Sequence, residues 1–157
     1  MCPDCDGASA SGNSYCETCK GRGKVPSAEE WAIHDSEGFE GIKIGEFEAM
    51  DRVVQLANVL DSLGTDAEAF AKWWDNGTAS TDPDAWEDEF REAYRGTYRT
   101  VADYAEEVMA EIYDLDEIPQ LLAGHIDWEG VARDMVMGGD IWTAEGGDGV
   151  FIFDNTV

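Results

Sequence analysis

The sequence predicts an α+β fold of small acidic modules that are mostly helical, with short strands, a C-terminal hairpin and a cysteine-rich segment in front. Apolar residues recur at helical spacing in successive segments between residues 49 and 135. Two β-prone runs stand near the C-terminus. The 157 residues are 43% hydrophobic and include 6 Trp, 6 Phe and 5 Tyr, so the chain has the aromatic side chains that a folded core needs.

Apolar periodicity, capping residues and glycine stops predict six helices. They cover 49–63, 66–74, 84–95, 100–113, a short segment after Pro119 with Leu121 and Leu122, and a segment after Asp127. Gly64 and Gly96 are interpreted as stops, and Asp66, Thr100 (with Asp103) and Asp127 as N-caps. The residues expected to face inward are Met50, Val53, Val54, Ala57, Leu60, Trp86, Phe90, Ala93, Tyr94, Val101, Tyr104, Ala105, Val108, Ile112, Trp128, Val131, Ala132 and Met135.

The remaining segments favour loops and strands. Residues 31–48 are punctuated by glycines, and Ile42 and Ile44 alternate with Lys43, which predicts a loop with a short strand. Near the C-terminus, Ile141–Thr143 and Val150–Phe153 flank the glycine-rich stretch Ala144–Gly149. This pattern is typical of a β-hairpin.

Residues 1–25 form a separate module that has too few apolar side chains for a core of its own. All four cysteines of the chain lie here, in the spacing C-x2-C-x10-C-x2-C: Cys2, Cys5, Cys16 and Cys19. Four thiolates in two such pairs predict a structural Zn²⁺ held in a tetrahedral knuckle. A disulfide pair is the alternative, and a reducing cytoplasm disfavours it. The run Cys16–Gly23 also resembles the C-x-x-C-x-G-x-G unit of DnaJ-type zinc modules.

The charge of the chain is its most unusual property. There are 35 acidic and 10 basic residues, and the formal net charge is -25. Residues 1–30 contribute little of it, so the acidic character belongs to residues 31–157. This charge argues against binding to nucleic acid or an anionic membrane and permits a basic partner. An acidic proteome, such as that of a halophile, would also explain it. Neither a signal peptide nor a membrane-length apolar run is visible, so we expect a soluble, cytoplasmic protein.

No residue pattern points to catalysis. The only histidines, His34 and His125, lack metal-ligand spacing, and no nucleophile elbow, P-loop or dinucleotide motif is present. Carboxylate pairs are too numerous among 35 acids to identify an acid–base site. The sequence therefore predicts a protein that is not an enzyme.

The acids are arranged in stripes along the predicted helices. Asp103, Glu107 and Glu111 recur every four residues, flanked by Glu106 and Asp114, and so do Asp84, Asp88 and Glu92. Steps of four residues advance about 6 Å along a helix, so two neighbouring stripes approach the phosphate spacing of about 3.4 Å per DNA strand. The same surface is expected to include Asp116, Glu117, Asp127, Glu129, Asp134 and Asp140. A merely solvated face is the simpler interpretation.

Blocks of residues in order along the chain resemble the ArdA antirestriction proteins. They are Glu30–Phe39, Ile44–Glu48, Ala93–Tyr98, Asp103–Glu107, Ile126–Glu129, Val131–Asp134, Gly138–Thr143 and Phe151–Phe153. The resemblance covers 29–157, which we divide into a middle module (29–80) and a C-terminal module (81–157). It places the family's antirestriction motif around Asp127–Trp142. In front, a cysteine module replaces the small α/β domain usual in that family.

The resemblance implies an elongated, acidic homodimer that acts in the cytoplasm of a bacterial host. It implies a DNA mimic that occupies the DNA-binding groove of type I restriction-modification enzymes, with the C-terminal region as the dimer surface. The alternative from another class is an interaction adaptor, in which the zinc module binds one protein and the acidic domain another basic DNA-binding protein. An acidic hydrolase is disfavoured because the sequence shows neither a nucleophile motif nor an open metal site.

Overall fold

Residues 32–46 and 48–156 are the part of the chain that the computed structural model describes. The helices and strands of this part lie within one unit, Asp35–Val157. They are α1 (Met50–Leu63), α2 (Ala67–Asp75), α3 (Trp86–Ala93), β1 (Tyr94–Tyr98), α4 (Val101–Ile112), α5 (Gln120–Ala123), α6 (Trp128–Gly138), β2 (Ile141–Glu145) and β3 (Val150–Asp154), with 3-10 turns at Gly64–Asp66 and Leu115–Glu117. The expected α+β fold is confirmed. The cysteine module predicted at 1–25 lies outside the described residues.

The three strands form one antiparallel sheet in the order β1-β3-β2. The predicted hairpin is confirmed as β2 and β3, with Thr143 opposite Ile152. The prediction of a helix through residue 95 is wrong, because α3 ends at Ala93 and β1 follows without a loop. Gly96, expected to stop that helix, lies inside the strand at φ 119, where the pairing with β3 slips by one residue. Only glycine reaches that φ without strain, so it makes the bulge possible.

The main core is aromatic and lies between α1, α2, α3 and β3. Its fully buried members include Phe70, Trp73, Trp86, Phe90 and Phe153. The rings of Phe70 and Phe90 meet edge to face with centroids 5.4 Å apart, a favoured geometry for aromatic pairs. Because these rings belong to α2, α3 and β3, the core packs elements together that are far apart in the sequence.

The face of α1 that enters this core differs from the prediction. Leu60 is buried as predicted, but the other buried residues are Leu56 and Leu63, whereas Val54 and Ala57, also expected to face inward, are exposed. Both sets recur at helical spacing, and packing against α2 selects the leucine face because leucines fill more space.

A second cluster fastens α4 and α6 to the sheet. Tyr104, Ile141 and Ile152 are buried, with Val108 and Met135 packed against them. Ile112, expected to face inward, is 62% exposed, because α4 ends there and Tyr113 takes extended backbone.

Helix caps decide where two of the helices begin. Thr100 accepts a hydrogen bond from the backbone N–H of Asp103, and the Asp103 carboxylate accepts one from Thr100, so the predicted N-cap of α4 is confirmed as a capping box. Asp127 caps α6 as predicted, by accepting from the N–H of Gly130. Asp66 precedes α2, but its side chain makes no capping bond, because the 3-10 turn already leads into the helix.

The short strand predicted within residues 31–48 is also wrong for the described residues 32–46 and 48. Glu40 and Gly41 have positive φ, and the N–H of Ile42 donates to the carbonyl of Phe39, so this segment turns back on itself. Ile42 is nevertheless buried in the main core. None of the described helices is long and apolar enough to cross a membrane.

Candidate acidic binding surface

The acidic residues that the sequence singled out lie at the surface. Asp103 is half-buried and the others are exposed: Asp84, Asp88, Glu92, Glu106, Glu107, Glu111, Asp114, Asp116, Glu117, Asp127, Glu129, Asp134 and Asp140. Helices α4 and α6 pack against each other, so their carboxylates belong to one body, and β1 links α3 to it. Cys2, Cys5, Cys16 and Cys19 lie outside the described residues.

The stripe on α4 is held in place at its first and second turns. The hydrogen bond from Thr100 and the nearby Arg99 guanidinium lower the pKa of Asp103, so this carboxylate stays ionised. One turn later, the Tyr98 hydroxyl donates to Glu107 Oε1 at 3.0 Å. Burial and this bond to an anion raise the pKa of Tyr98 to about 12. Tyr98 therefore remains a neutral donor that orients Glu107 without reducing its charge.

The stripe predicted on α3 is shorter than expected. The helix begins at Trp86, so Asp84 lies in the preceding turn, where its N–H donates to Asp82 Oδ1 at 3.2 Å. Asp88 and Glu92 remain one turn apart on the helix, both exposed. The stripe on α3 therefore has two carboxylates, not three. The carboxylate of Asp84 lies just before the helix N-terminus, where negative charge is favoured.

Two of the acidic side chains also accept hydrogen bonds from the backbone. Asp114 accepts a hydrogen bond from the N–H of Asp116 at 3.1 Å, and Asp127 one from the N–H of Gly130 at 3.0 Å. In both cases one carboxylate oxygen accepts the bond, and the second oxygen has acceptor sites of its own. These residues can shape the backbone and still present charge to a partner.

Within residues 32–46 and 48–156, four arginines lie beside carboxylates, and the sequence-based interpretation did not include these pairs. Arg91 contacts Glu87 at 2.8 Å, Arg95 contacts Asp154 at 2.6 Å, and Arg99 contacts Asp103 at 3.5 Å. Arg52 pairs with Glu48 and lies over the rings of Trp74 and Trp86. The bond from Arg91 lowers the pKa of Glu87. The four-residue spacing of three of these pairs was the signal available in the sequence.

This pairing changes the electrostatics of the surface. Residues 73–90 and 100–132 contain no Lys or Arg, and three of the arginines between and beside them face carboxylates of their own chain. A partner therefore meets carboxylates with little competing positive charge. Among the described residues, no group of three or more His, Cys, Asp or Glu is arranged to hold a metal ion. What the surface offers is negative charge on helices that lie within one compact unit.

Comparison with known proteins gives one match. The family model described as "Antirestriction protein (ArdA)" matches residues 13–148, which begins ahead of the Cys16–Cys19 pair and ends in the turn before β3. Comparisons with curated proteins and with solved structures found no match. Because the family match spans most of the 157 residues and contains the acidic helices, the chain belongs to the ArdA family of antirestriction proteins.

Proposed function

We propose that this protein inhibits type I restriction-modification enzymes by mimicking DNA and occupying their DNA-binding groove. The observation that carries the proposal is the set of exposed carboxylates on α3, α4 and α6, beside arginines that are already paired within the chain. A groove built for DNA presents Lys and Arg where phosphates lie. Carboxylates at helical spacing meet those cations and leave no room for the duplex.

This inhibition requires no chemistry from the inhibitor. DNA in the groove offers a bond to cut or a base to methylate, whereas the carboxylate surface offers neither. Affinity comes from ion contacts, so it falls as salt screens them. In this proposal the protein competes with DNA for the restriction enzyme and catalyses no reaction. It acts in the host cytoplasm, where the restriction enzymes work, and does not itself bind nucleic acid.

The direct test is displacement of labelled DNA from a type I specificity subunit at low salt. The test variant carries Asp88→Asn, Glu92→Gln, Glu106→Gln and Glu111→Gln. Exposed ion contacts contribute up to about 1 kcal/mol each, so this variant is expected to displace DNA about tenfold less well, or worse. The matched control loses the same charge elsewhere, through Glu37→Gln, Glu40→Gln, Asp51→Asn and Asp61→Asn, and is expected to stay near the unmodified chain. Intact DNA binding in the presence of excess unmodified protein would contradict the proposal.

We also propose that the protein works as a homodimer that associates through its C-terminal region. Val136 and Met137 on α6 are exposed, and with Val101 and Ala132 they line a groove of about 360 Å³ between α4 and α6. Apolar side chains in such a position favour burial against another surface. Sedimentation of a Met137→Asp variant is expected to give a monomer at concentrations where the unmodified chain is dimeric. A dimer unaffected by this change would place the interface elsewhere.

For the N-terminal module we propose one structural Zn²⁺ held by Cys2, Cys5, Cys16 and Cys19. Metal analysis of protein purified without chelator is expected to give one zinc per chain, and Cys16→Ser is expected to abolish zinc binding.

Deletion of residues 1–28 distinguishes a DNA mimic from an adaptor whose zinc module recruits a partner. Displacement of DNA that survives the deletion supports the mimic, whereas loss of every protein partner from a host lysate supports the adaptor.

A further inference from the structure

A second groove, distinct from the one between Val101 and Met137, opens where α4 ends. It has a volume of about 640 Å³ and is bounded by the end of α4, the turn after it, α5 and the start of α6. Apolar side chains line it: Met109, Tyr113, Leu115, Ile118, Leu122 and Trp128. The turn is fixed by the Asp114 cap and by backbone bonds from Leu122 and Ala123 to Pro119, so the walls are built by ordered backbone.

Several of these side chains stay exposed to solvent. Tyr113 is 60% and Leu122 57% exposed, and Ile112 and Leu121 beside them are also largely exposed. Short of a partner, this arrangement leaves apolar surface in water at a cost of about 25 cal/mol per Å². A cluster of this kind on a small acidic protein indicates a contact surface.

The charge around the groove identifies what it can accept. Asp114 and Glu117 form part of its lining, Asp116 lies between them in sequence, and Asp127 directly precedes Trp128 of the lining. Residues 100–132 contain no basic residue other than His125. A second copy of a chain with a net charge of -25 would bring carboxylates against these carboxylates. The groove between α4 and α6 differs, because its lining includes both a positive charge, on Arg133, and a negative charge, on Glu129.

We propose that the groove at the end of α4 binds a bulky apolar side chain carried on a Lys- and Arg-rich segment of the partner protein. This inference rests on the proposed function, since the partner is the DNA-binding protein that the acidic surface engages. The cations of the segment meet the rim, and its apolar side chain enters the groove. DNA has no counterpart to this second contact, so the protein holds its target by an interaction that phosphates cannot provide and that salt does not screen.

The groove can be tested directly with two labelled peptides of equal charge. In one, two leucines lie between pairs of Lys and Arg, and in the other serines replace the leucines. The leucine peptide is expected to bind the full chain about tenfold more tightly than the serine peptide, at low and at high salt alike. The double variant Tyr113→Ser, Leu122→Ser is expected to remove this preference and to leave the serine peptide unaffected. Equal binding of the two peptides to the unmodified chain would overturn the proposal.

A control variant and a second readout establish whether the preference for leucine belongs to this groove. Val54→Ser truncates an equally exposed side chain on α1, at 55% exposure, and is expected to change neither peptide's affinity. Sedimentation of the double variant is expected to match the unmodified chain. If the double variant instead turns a dimer into a monomer, the groove is the dimer interface and the proposal is wrong.

The same variants separate this inference from the proposed function. With a type I enzyme, the double variant is expected to bind about tenfold more weakly, with an unchanged slope of affinity against salt, because no charge is lost. The four-acid variant is expected to flatten that slope. A chain that prefers the leucine peptide but never displaces DNA would retain the groove and reject the restriction enzyme as its partner. A double variant that binds the enzyme as well as the unmodified chain would reject the groove and retain the DNA mimic.

Discussion

Replacing Asp154 by Asn is expected to destabilise the fold at neutral pH and to have little effect in acid. Asp154, the last residue of β3, accepts hydrogen bonds from the Thr156 hydroxyl at 2.6 Å and from the Thr156 N–H at 2.8 Å. Arg95 Nη2, on the bulged residue of β1, donates to the same carboxylate at 2.6 Å. The Thr156 bonds first, and then Arg95, lower the pKa of Asp154 from 3.8 to about 2.

The size of the effect follows from that shift. A change of one pKa unit corresponds to about 1.4 kcal/mol, so the shift of Asp154 sets an upper limit of about 2.5 kcal/mol. The side chains of Arg95 and Asp154 are 39% and 21% exposed, and solvent weakens such a pair. We therefore expect a loss of about 1–2 kcal/mol. Because the folded pKa is the lower one, this stabilisation is complete above about pH 5, falls to about half near pH 3 and is lost through pH 2.

Urea unfolding followed by tryptophan fluorescence at pH 7 and pH 3 measures both the loss and its pH dependence. Asp61→Asn is the matched control, since Asp61 is exposed on α1 and removing its charge relieves repulsion in a chain of net charge -25. The control is expected to be neutral or slightly more stable, whereas Asp154→Asn is less stable. If both variants shift the free energy of unfolding in the same direction, or if the loss is as large at pH 3 as at pH 7, the reasoning is wrong.

Three further substitutions test the fold at separate points. Thr100→Ala removes the cap of α4 and is expected to lower the free energy of unfolding by about 1 kcal/mol, measured by urea titration. Phe90→Ala empties the centre of the aromatic core and is expected to lower it by about 3–5 kcal/mol, seen as a large fall in melting temperature. Gly149→Ala places a methyl group against the Tyr98 carbonyl at a φ of 158 and is expected to cost about 2 kcal/mol or more. Its control, Gly124→Ala, meets no atom within 4 Å at an ordinary φ and is expected to be neutral.

The sequence predicted the helices well where local signals were complete. The capping box at Thr100, the Asp127 cap and the glycine after α1 each fix a boundary through contacts within a few residues. The C-terminal hairpin was equally accessible, because the β-prone runs and the glycine-rich turn lie together in the chain. These elements need no information from distant residues.

The strand β1 could not be predicted in this way. Its five residues, Tyr94–Tyr98, follow a helix directly and contain a glycine, which locally indicates a helix stop. They become a strand because β3, more than 50 residues later, offers Phe151 and Ile152 as partners. A contact at that separation leaves no periodic trace in the residues themselves. The same limit explains α1, where packing against α2 chose between two apolar faces.

The sequence predicted the exposure of the acidic residues but not their ion pairs. Exposure of the carboxylates follows from charge alone, since unpaired carboxylates are hardly ever buried. Pairing of Arg95 with Asp154 depends on the sheet and could not be foreseen from positions 59 residues apart. That pair matters for the surface because it removes a positive charge from the neighbourhood of α3 and α4. The sequence thus indicates how many charges there are, and the fold determines which of them a partner can reach.

Salt distinguishes a halophilic origin of the negative charge from DNA mimicry, because it acts in opposite directions on the fold and on the complex. Repulsion among 35 acids destabilises the folded chain, so screening is expected to raise the free energy of unfolding. Screening of ion contacts with a basic groove is expected to weaken the complex over the same range. A halophilic protein, adapted to molar salt, would unfold when salt is reduced to about 0.1 M, where the screening length is about 10 Å. A DNA mimic of a cytoplasmic enzyme must remain folded at that salt and lose its partner as salt rises. Unfolding curves and DNA displacement, measured on one preparation between about 0.05 and 1 M NaCl, therefore decide between the two explanations of the negative charge, adaptation to high salt and binding to a basic groove.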